Sequence, residues 1–210
     1  MKVLIFDTET TGLPEGKNPS IYETQKWPHI IQLSYIVYDS ETNDIVTLED
    51  DYISIDENVV IQPESQKVHN ISREMLADKG ISIEQALEKF NRFSKIADLL
   101  VGHNVSFDKR MVIVEGIRNK IRVNIHDTYC TMKNSVELCK IEKCWPNGDT
   151  YFKYPTLSEL HNELFQKIPK NTHNALIDIL ICMRCFVKIE LHKDICRINR
   201  TIRLMMREAY

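Results

Sequence analysis

The sequence has no long apolar run, no excess of positive charge and only six glycines. No segment approaches the roughly 18 apolar residues of a membrane-spanning helix. The apolar run after Met1 and Lys2 ends at Asp7, which makes it too short for a signal peptide. We therefore expect an intracellular, cytoplasmic protein with no membrane partner; a nuclear or viral origin is compatible with the same features.

The charge balance is slightly acidic, with 27 Lys and Arg against 30 Asp and Glu. Nucleic-acid-binding proteins are usually basic, but this average hides two segments of opposite sign. Residues 39–57 carry eight acidic side chains and no Lys or Arg, whereas residues 188–208 carry six basic and three acidic ones. Clustered carboxylates for metal ions would also make the sum acidic. The alternative is a solvated acidic loop and a solvated helix face.

The six cysteines favour reduced thiols, because a chain of 210 residues can fold without disulfides and has no export signal. Cys182 and Cys185 form a C-x-x-C pair, and Cys139 and Cys144 could complete four zinc ligands. The first pair lies in an apolar helical pattern, where cysteine behaves as a small core residue. We therefore favour core thiols over structural zinc.

Hydrophobic periodicity predicts a mixed α/β domain with helices flanking one sheet. Capping boxes at Ser82 and Thr156 predict helix starts, and Pro146–Asp149 predicts a hairpin turn. The predicted strands are 3–6, 30–38, 45–53, 99–102 and a short edge strand at 125–128. The predicted helices are 82–98, 107–119, 156–165 and 174–191. A final amphipathic helix is predicted with Ile195, Ile198 and Ile202 on one face.

Two carboxylates end the first predicted strand. Asp7 and Glu9 lie two residues apart, so their side chains point to the same face. Asp108 follows the strand 99–102 in the first turn of a predicted helix, where the helix dipole favours an acid. Asp178 lies in the apolar pattern 174–191, where an unpaired charge is rarely buried. Each acid alone could be a solvated turn or helix-start residue, and His173, just before that helix, could be a cap or a surface residue.

Together these residues indicate a metal-dependent site. Oxygen ligands with few nitrogen or sulfur partners suit Mg²⁺ or Mn²⁺ rather than zinc. Two such ions about 3.5–4 Å apart can clamp the attacking and leaving oxygens of a phosphodiester. A neutral histidine nearby can accept the proton of the attacking water.

Three motifs occur in the order and spacing of one family. Asp-Thr-Glu-Thr-Thr-Gly-Leu at 7–13, His-Asn-Val-Ser-Phe-Asp at 103–108 and His-Asn-Ala-Leu-Ile-Asp at 173–178 resemble the DEDD 3′→5′ exonucleases, and the histidine five residues before the last aspartate resembles the DEDDh subgroup. The resemblance implies a ribonuclease-H-like fold with a central mixed five-stranded sheet flanked by helices. It implies two Mg²⁺ or Mn²⁺ ions and release of nucleoside 5′-monophosphates.

The resemblance also implies residue roles. Asp7, Glu9, Asp108 and Asp178 would be the catalytic metal ligands, and His173 the general base. Thr10 and Leu13 would bind the terminal nucleotide, with Leu13 wedged under the last base. Val-His-Asn-Ile-Ser at 68–72 is similar to the family's Val-His-Gly-Ile-Thr and adds His69 and, more weakly, Glu64 as substrate-binding residues. Asn70 replaces the usual glycine, and asparagine tolerates the left-handed conformation.

The interpretation that follows is an exonuclease domain over residues 1–190, with residues 191–210 as a basic helix packed on or extending it. The substrate would be nucleic acid with a free, single-stranded 3′ end, DNA being favoured. A DNA polymerase or another replication or repair protein is the candidate partner. The alternatives are an RNA 3′-end-trimming exoribonuclease, an endonuclease of the same superfamily, and a catalytically inactive nucleic-acid-binding scaffold.

Overall fold

The computed structural model describes all 210 residues and is built around one mixed five-stranded sheet with strand order β3-β2-β1-β4-β5. The first three strands pair in antiparallel fashion, and β4 and β5 run parallel to β1. The strands are β1 (Lys2–Thr10), β2 (Ile30–Asp39), β3 (Asp44–Tyr52), β4 (Leu99–Gly102) and β5 (Thr128–Cys130). The predicted fold class, a mixed five-stranded sheet flanked by helices, is confirmed.

Helices cover both faces of this sheet. They are α1 (Pro63–His69), α2 (Arg73–Lys79), α3 (Ile83–Ser94), α4 (Val105–Arg118), α5 (Thr131–Asn134), α6 (Val136–Cys139), α7 (Leu157–Phe165), α8 (Ala175–Leu191), α9 (Ile195–Ile198) and α10 (Arg200–Met205). Both predicted capping boxes are present, at the start of α3 and of α7. None of these helices is long and apolar enough to cross a membrane.

The alternation of side chains along β1 divides the core into two layers. Val3 and Ile5 belong to a cluster with the apolar side of α8 and with residues of α9 and α10. Leu4 and Phe6 belong to a second cluster, on the other face, with residues of α3 and α4. Asp7 and Glu9 follow the parity of Val3 and Ile5, and their side chains therefore face α8.

The structure corrects the bounds of five predicted elements. Strand β1 continues to Thr10, four residues beyond its predicted end, so Asp7 and Glu9 lie within it, and α3 ends at Ser94, four residues before its predicted end. Strand β5 begins at Thr128, three residues later than predicted, and α4 begins at Val105 because Asn104 adopts the left-handed conformation just before it. The final amphipathic helix is two short helices, α9 and α10, separated at Asn199. Asn199 has an extended backbone, and its side chain accepts a hydrogen bond from the N–H of Ile202 to cap α10. Ile198 is consequently 47% exposed.

A hairpin projects between α6 and α7. Its strands are β6 (Glu142–Cys144) and β7 (Thr150–Phe152), paired across the predicted turn. Trp145 stacks on Tyr151 with ring centroids 4.4 Å apart, yet Trp145 is 54% exposed. The predicted hairpin is therefore present, and the aromatic stack accounts for its cohesion away from the main core.

The segment between β1 and β2 is held to α4 by one arginine. Arg118 donates hydrogen bonds to the carbonyl oxygens of Thr24, Trp27 and Pro28 and pairs with Glu115 at 2.9 Å. Trp27 is buried, and its indole N–H donates to the carbonyl of Ser20 at 3.0 Å. The loop 14–28 is thereby fixed against the body of the protein.

The cysteines are all free thiols. Cys182 and Cys185 are buried in the core face of α8, whereas Cys144 is exposed on the hairpin. The four candidate zinc ligands do not form a cluster, and the group of potential ligands that comes together in the structure consists of carboxylates.

Candidate active site

Three carboxylates converge between β1 and α8. Asp7 and Glu9 lie near the end of β1, and Asp178 lies in the first turn of α8. One carboxylate oxygen from each residue lies within 4.8 Å of the others. Strand alternation brings Asp7 and Glu9 to one face, and the packing of α8 across that face supplies Asp178.

The start of α8 is organised around Asp178. The side chain of Asn174 caps the helix by accepting a hydrogen bond from the N–H of Ile177. The backbone N–H of His173 donates to Asp178 Oδ2 at 3.0 Å. The other oxygen, Oδ1, is buried and has no hydrogen-bond partner. A buried carboxylate oxygen without a donor costs free energy, which a cation at this point would offset.

Asp108 of α4 lies beside the open edge of β1, outside the group of three carboxylates. Strand β4 pairs with β1 only from Val3 to Ile5, so β1 has no neighbour on that side farther along. Asp108 Oδ1 fills the gap by accepting hydrogen bonds from Thr8, at 3.1 Å from the backbone N–H and 2.8 Å from the hydroxyl. Asp108 is 3% exposed.

Burial raises the pKa of all four carboxylates, and repulsion from neighbouring acids adds to the shift in Asp7, Glu9 and Asp178. Burial raises the pKa of Asp7 well above its ordinary value, and the neighbouring acids add to the shift. Burial, with repulsion from Asp178 and Asp108, raises the pKa of Glu9 to about 8. Burial also raises the pKa of Asp108 and of Asp178 to about 7. The hydrogen bonds donated by Thr8 and His173 lower these pKa values, but burial has the larger effect.

These residues fit a divalent cation. The four acids pair with no Lys or Arg of the chain, and the donor set consists of oxygen. Buried charges of one sign persist in proteins when they are paired or coordinate a metal. Carboxylate oxygens are the ligands that Mg²⁺ and Mn²⁺ prefer.

The sequence matches the model of a family described as exonuclease over residues 4–186. The chain belongs to the exonuclease family. The match includes all three motifs, so the resemblance recognised from those motifs is confirmed. This exonuclease-family chain is 29% identical over 176 residues to the DNA polymerase III subunit epsilon of Pasteurella multocida (strain Pm70), an alignment covering 83% of the chain and 62% of that protein.

Solved structures of E. coli exonuclease I share the fold. The complex with a dA16 oligonucleotide has a TM-score of 0.66 at 16% identity, covering 90% of the exonuclease-family chain and 41% of exonuclease I. The zinc-bound complex with single-stranded DNA has a TM-score of 0.67 at 18% identity, covering 98% and 45%. This chain thus spans less than half the length of those proteins. The shared fold confirms the predicted ribonuclease-H-like fold.

The backbone of His173 contacts one of the carboxylates of this exonuclease domain, Asp178. It precedes the N-cap residue of α8 and adopts a left-handed conformation with a φ of 69°. Its side chain is exposed. The hydrogen bond from its backbone to Asp178 ties its position to that of a predicted metal ligand.

The predicted nucleotide-binding residues lie where β1 ends. Thr10 is buried, and its hydroxyl donates to the carbonyl of Gly12 at 2.7 Å. Leu13 is 72% exposed at a cleft of about 380 Å³ between the loop 14–28 and the start of α4. Trp27, Phe107 and Arg110 also line this cleft. The role of Leu13 under the last base stays a prediction.

Helix α1 carries the other two predicted residues. His69 is buried; its Nδ1 accepts a hydrogen bond from the N–H of Ile71 at 3.0 Å, and its Nε2 is buried without a partner. Burial lowers the pKa of His69, and the backbone of Thr10 opposes that shift. Glu64 is exposed in the first turn. Asn70 adopts the left-handed conformation with a φ of 57°, so it serves in place of glycine at this turn.

Several polar residues around the site were not predicted from the sequence. Ser34 and Gln32 lie opposite Asp7 and Glu9 on β2, are fully buried, and both donate to Asp50 Oδ1. The signal was present, because these two residues interrupt an apolar strand at alternate positions. The acidic segment 39–57 therefore contributes Asp50 to a polar layer beneath the site.

His103 of the second motif has a structural place. Its ring nitrogens contact the Thr131 hydroxyl and the carbonyl oxygen of Pro155, both at 3.0 Å. Burial lowers the pKa of His103 to about 4, so the ring is neutral near neutral pH. It joins the end of β4 to the base of the hairpin.

Proposed function

We propose that this protein is a metal-dependent 3′→5′ exonuclease that releases nucleoside 5′-monophosphates, with DNA as the favoured substrate. The observation that carries the proposal is the cluster of Asp7, Glu9 and Asp178 beside Asp108, four buried or half-buried acids without a cationic partner. Membership of the exonuclease family supports the reaction class. The epsilon relative and the DNA oligonucleotides bound to exonuclease I support DNA.

In this proposal Asp7, Glu9, Asp108 and Asp178 would hold two Mg²⁺ or Mn²⁺ ions. The ions supply charge that stabilises the attacking and leaving oxygens of the phosphodiester. The carboxylates must be ionised to act as ligands, and their raised pKa values mean that protons compete for the same oxygens. Thr8 holds one oxygen of Asp108 in place through its two hydrogen bonds.

His173 acts as the general base in this proposal. Its imidazole accepts a proton from the attacking water, which a positioned histidine can do near neutral pH. The backbone contact of His173 with Asp178 and the exposure of its side chain support this role. Thr10, His69 and Glu64 would contact the terminal nucleotide, and Leu13 would pack under the last base.

The proposal predicts directional, metal-dependent digestion. A 5′-labelled single strand should shorten stepwise from its 3′ end in Mg²⁺ or Mn²⁺ and stay intact in EDTA. The assay compares matched single- and double-stranded DNA and RNA, with Asp7→Asn as the inactive control. Cutting of a circular single strand would contradict end-directed hydrolysis, and faster digestion of RNA would favour the exoribonuclease alternative. Binding without hydrolysis in either metal would favour the scaffold.

The basic residues 191–210 are proposed to contact the phosphates of the bound strand. Arg197, Arg200 and Arg203 are all exposed. Changing the three to Gln should weaken binding and flatten its salt dependence by about 0.7 in slope for each phosphate that is no longer neutralised. Binding is measured in EDTA at several salt concentrations, with Lys79→Gln, an exposed cation on α2, as the control. An unchanged slope would remove these arginines from the nucleic-acid surface.

A replicative DNA polymerase is the protein partner that we propose, on the ground that the Pasteurella relative is named as a polymerase III subunit. Co-elution of the two purified proteins in size-exclusion chromatography tests this partnership.

A further inference from the structure

The loop 166–174, which joins α7 to α8 and carries His173, has no regular secondary structure. Gln166, Asn171 and His173 in this loop have positive φ values of 53°, 56° and 69°, which cost free energy for residues other than glycine. A loop with three such residues keeps its conformation only if contacts with the rest of the protein hold it there.

Two of these contacts come from the segment Glu208–Tyr210, which begins 37 residues farther along the chain than Asn171. The N–H of Lys170 donates to the carbonyl of Ala209 at 2.7 Å. The side-chain amide of Asn171 donates to the carbonyl of Glu208 at 2.9 Å. The loop residues just before His173 are therefore bound to this segment.

A third contact joins the same segment to the start of the loop through His161 of α7. His161 is fully buried; its Nδ1 bonds the carbonyl of Lys167 at 2.7 Å, and its Nε2 bonds the hydroxyl of Tyr210 at 2.9 Å. The ammonium group of Lys167 lies 3.4 Å from the centroid of the Tyr210 ring. Both ends of the loop are thus connected to Glu208–Tyr210.

The segment itself is firmly seated. Ala209 is fully buried in the core cluster of α8. The Tyr210 hydroxyl also accepts a hydrogen bond from Arg184, which forms a two-point ion pair with Asp194. Because the core and Arg184 hold Glu208–Tyr210 in place, this segment can in turn hold the loop 166–174.

We infer that the segment Glu208–Tyr210 is a positioning element for catalysis, which holds the loop 166–174 so that His173 faces the site. The inference rests on the proposed role of His173. A general base must be held close to its working geometry, and a misplacement of about 1 Å can cost about 10²-fold in rate. The segment would therefore act on turnover through His173 rather than only on stability.

The test is Asn171→Gly, which keeps a residue suited to positive φ and removes only the amide that binds Glu208. We expect a roughly tenfold loss of single-turnover rate on a 3′-ended strand, by the same positioning argument. Mn²⁺ affinity, binding of the strand in EDTA and the melting temperature should change little. Tyr210→Phe, which removes the hydroxyl bound to His161, should act in the same direction.

The decisive measurement is the same change in the His173→Ala background. If the segment acts through His173, Asn171→Gly should have less than about a twofold further effect there, because coupled residues are non-additive. An equal loss in both backgrounds would overturn the inference, as would an unchanged rate in the single variant. Full turnover of His173→Ala would instead refute the proposed general base. That outcome is measured on a different variant, so it can be distinguished from a failure of the positioning role.

A matched control lies at the turn between β2 and β3. Asn43 also has a positive φ, 61°, and Asn43→Gly removes the side-chain oxygen that accepts a hydrogen bond from the Tyr38 hydroxyl at 2.8 Å. This variant therefore makes the same kind of change at a residue that forms no hydrogen bond with the loop 166–174. Turnover should stay unchanged in this variant, and a loss equal to that of Asn171→Gly would overturn the positioning role.

Discussion

His173→Ala is expected to lower the single-turnover rate roughly 10²–10⁴-fold, the usual effect of removing a positioned general base. Its Mn²⁺ affinity should stay close to that of the unchanged protein, because the contact from residue 173 to Asp178 is made by the backbone N–H, which alanine retains. Single-turnover kinetics at saturating enzyme and Mn²⁺ titration by calorimetry measure the two quantities.

Asp178→Asn is the companion variant in this first experiment, because it changes a proposed ligand next to the proposed base. Both turnover and metal affinity should fall, since the neutral amide supplies one charge less to the cations. His192→Asn, an exposed histidine at the other end of α8, should alter neither quantity. If His173→Ala lowered metal affinity to the same degree as Asp178→Asn, His173 would be a ligand rather than a base.

The metal-free protein is expected to lose stability as the pH rises from about 4 to about 8. A carboxylate whose pKa is higher in the folded than in the unfolded state binds more protons when folded, so the free energy of unfolding decreases with pH between the two values. Glu9, with a pKa raised to about 8, and Asp108 and Asp178, with pKa values raised to about 7, define that window.

Asp178→Asn should remove part of that penalty. A pKa shift of one unit is worth about 1.4 kcal/mol, so the shift of Asp178 to about 7 is worth about 4 kcal/mol. Because 1 kcal/mol moves the melting temperature of a chain of this size by about 2–4 °C, we expect a gain of roughly 8–16 °C at about pH 8 in EDTA. The gain should nearly vanish at about pH 4, where the carboxyl group is protonated in the folded state and only about half ionised in the unfolded state. Thermal melts across this range measure it.

With divalent cations, the melting temperature of the unchanged protein should exceed that of Asp178→Asn. Mn²⁺ should raise the melting temperature of the unchanged protein more at about pH 8 than at about pH 6, because fewer protons compete for the carboxylates. Asp78→Asn, an exposed acid on α2, is the control and should behave as the unchanged protein. If the metal-free protein were equally stable at about pH 6 and about pH 8, the raised pKa values of the carboxylate cluster would be contradicted.

Local patterns were sufficient to predict much of the site's geometry. Asp7 and Glu9 share a face because strand side chains alternate, and Asp178 is half-buried because its helix is apolar on the side that packs on β1. The capping boxes of α3 and α7 were predictable because each depends on residues three positions apart. The Pro146–Asp149 turn was predictable for the same reason.

Contacts between distant residues were not predictable in the same way. The hydrogen bonds from Thr8 to Asp108 join residues 100 positions apart, and those from Gln32 and Ser34 to Asp50 depend on strand register. The break at Asn199 was missed because the isoleucine spacing continued across it, while the asparagine side chain capped a new helix. The roles of the predicted site residues stay predictions until the variants are measured.

The burial of Trp27 gives this protein a built-in optical reporter. The chain has two tryptophans, and they lie in contrasting surroundings: Trp27 is enclosed by the loop 14–28, and Trp145 is exposed on the hairpin. Trp27 should emit at shorter wavelength and be shielded from a soluble quencher such as acrylamide, whereas Trp145 should be quenched readily. Because Trp27 shares its cleft with Leu13, the shielded component of the emission reports on occupancy of that cleft, and the quenched component reports on the hairpin.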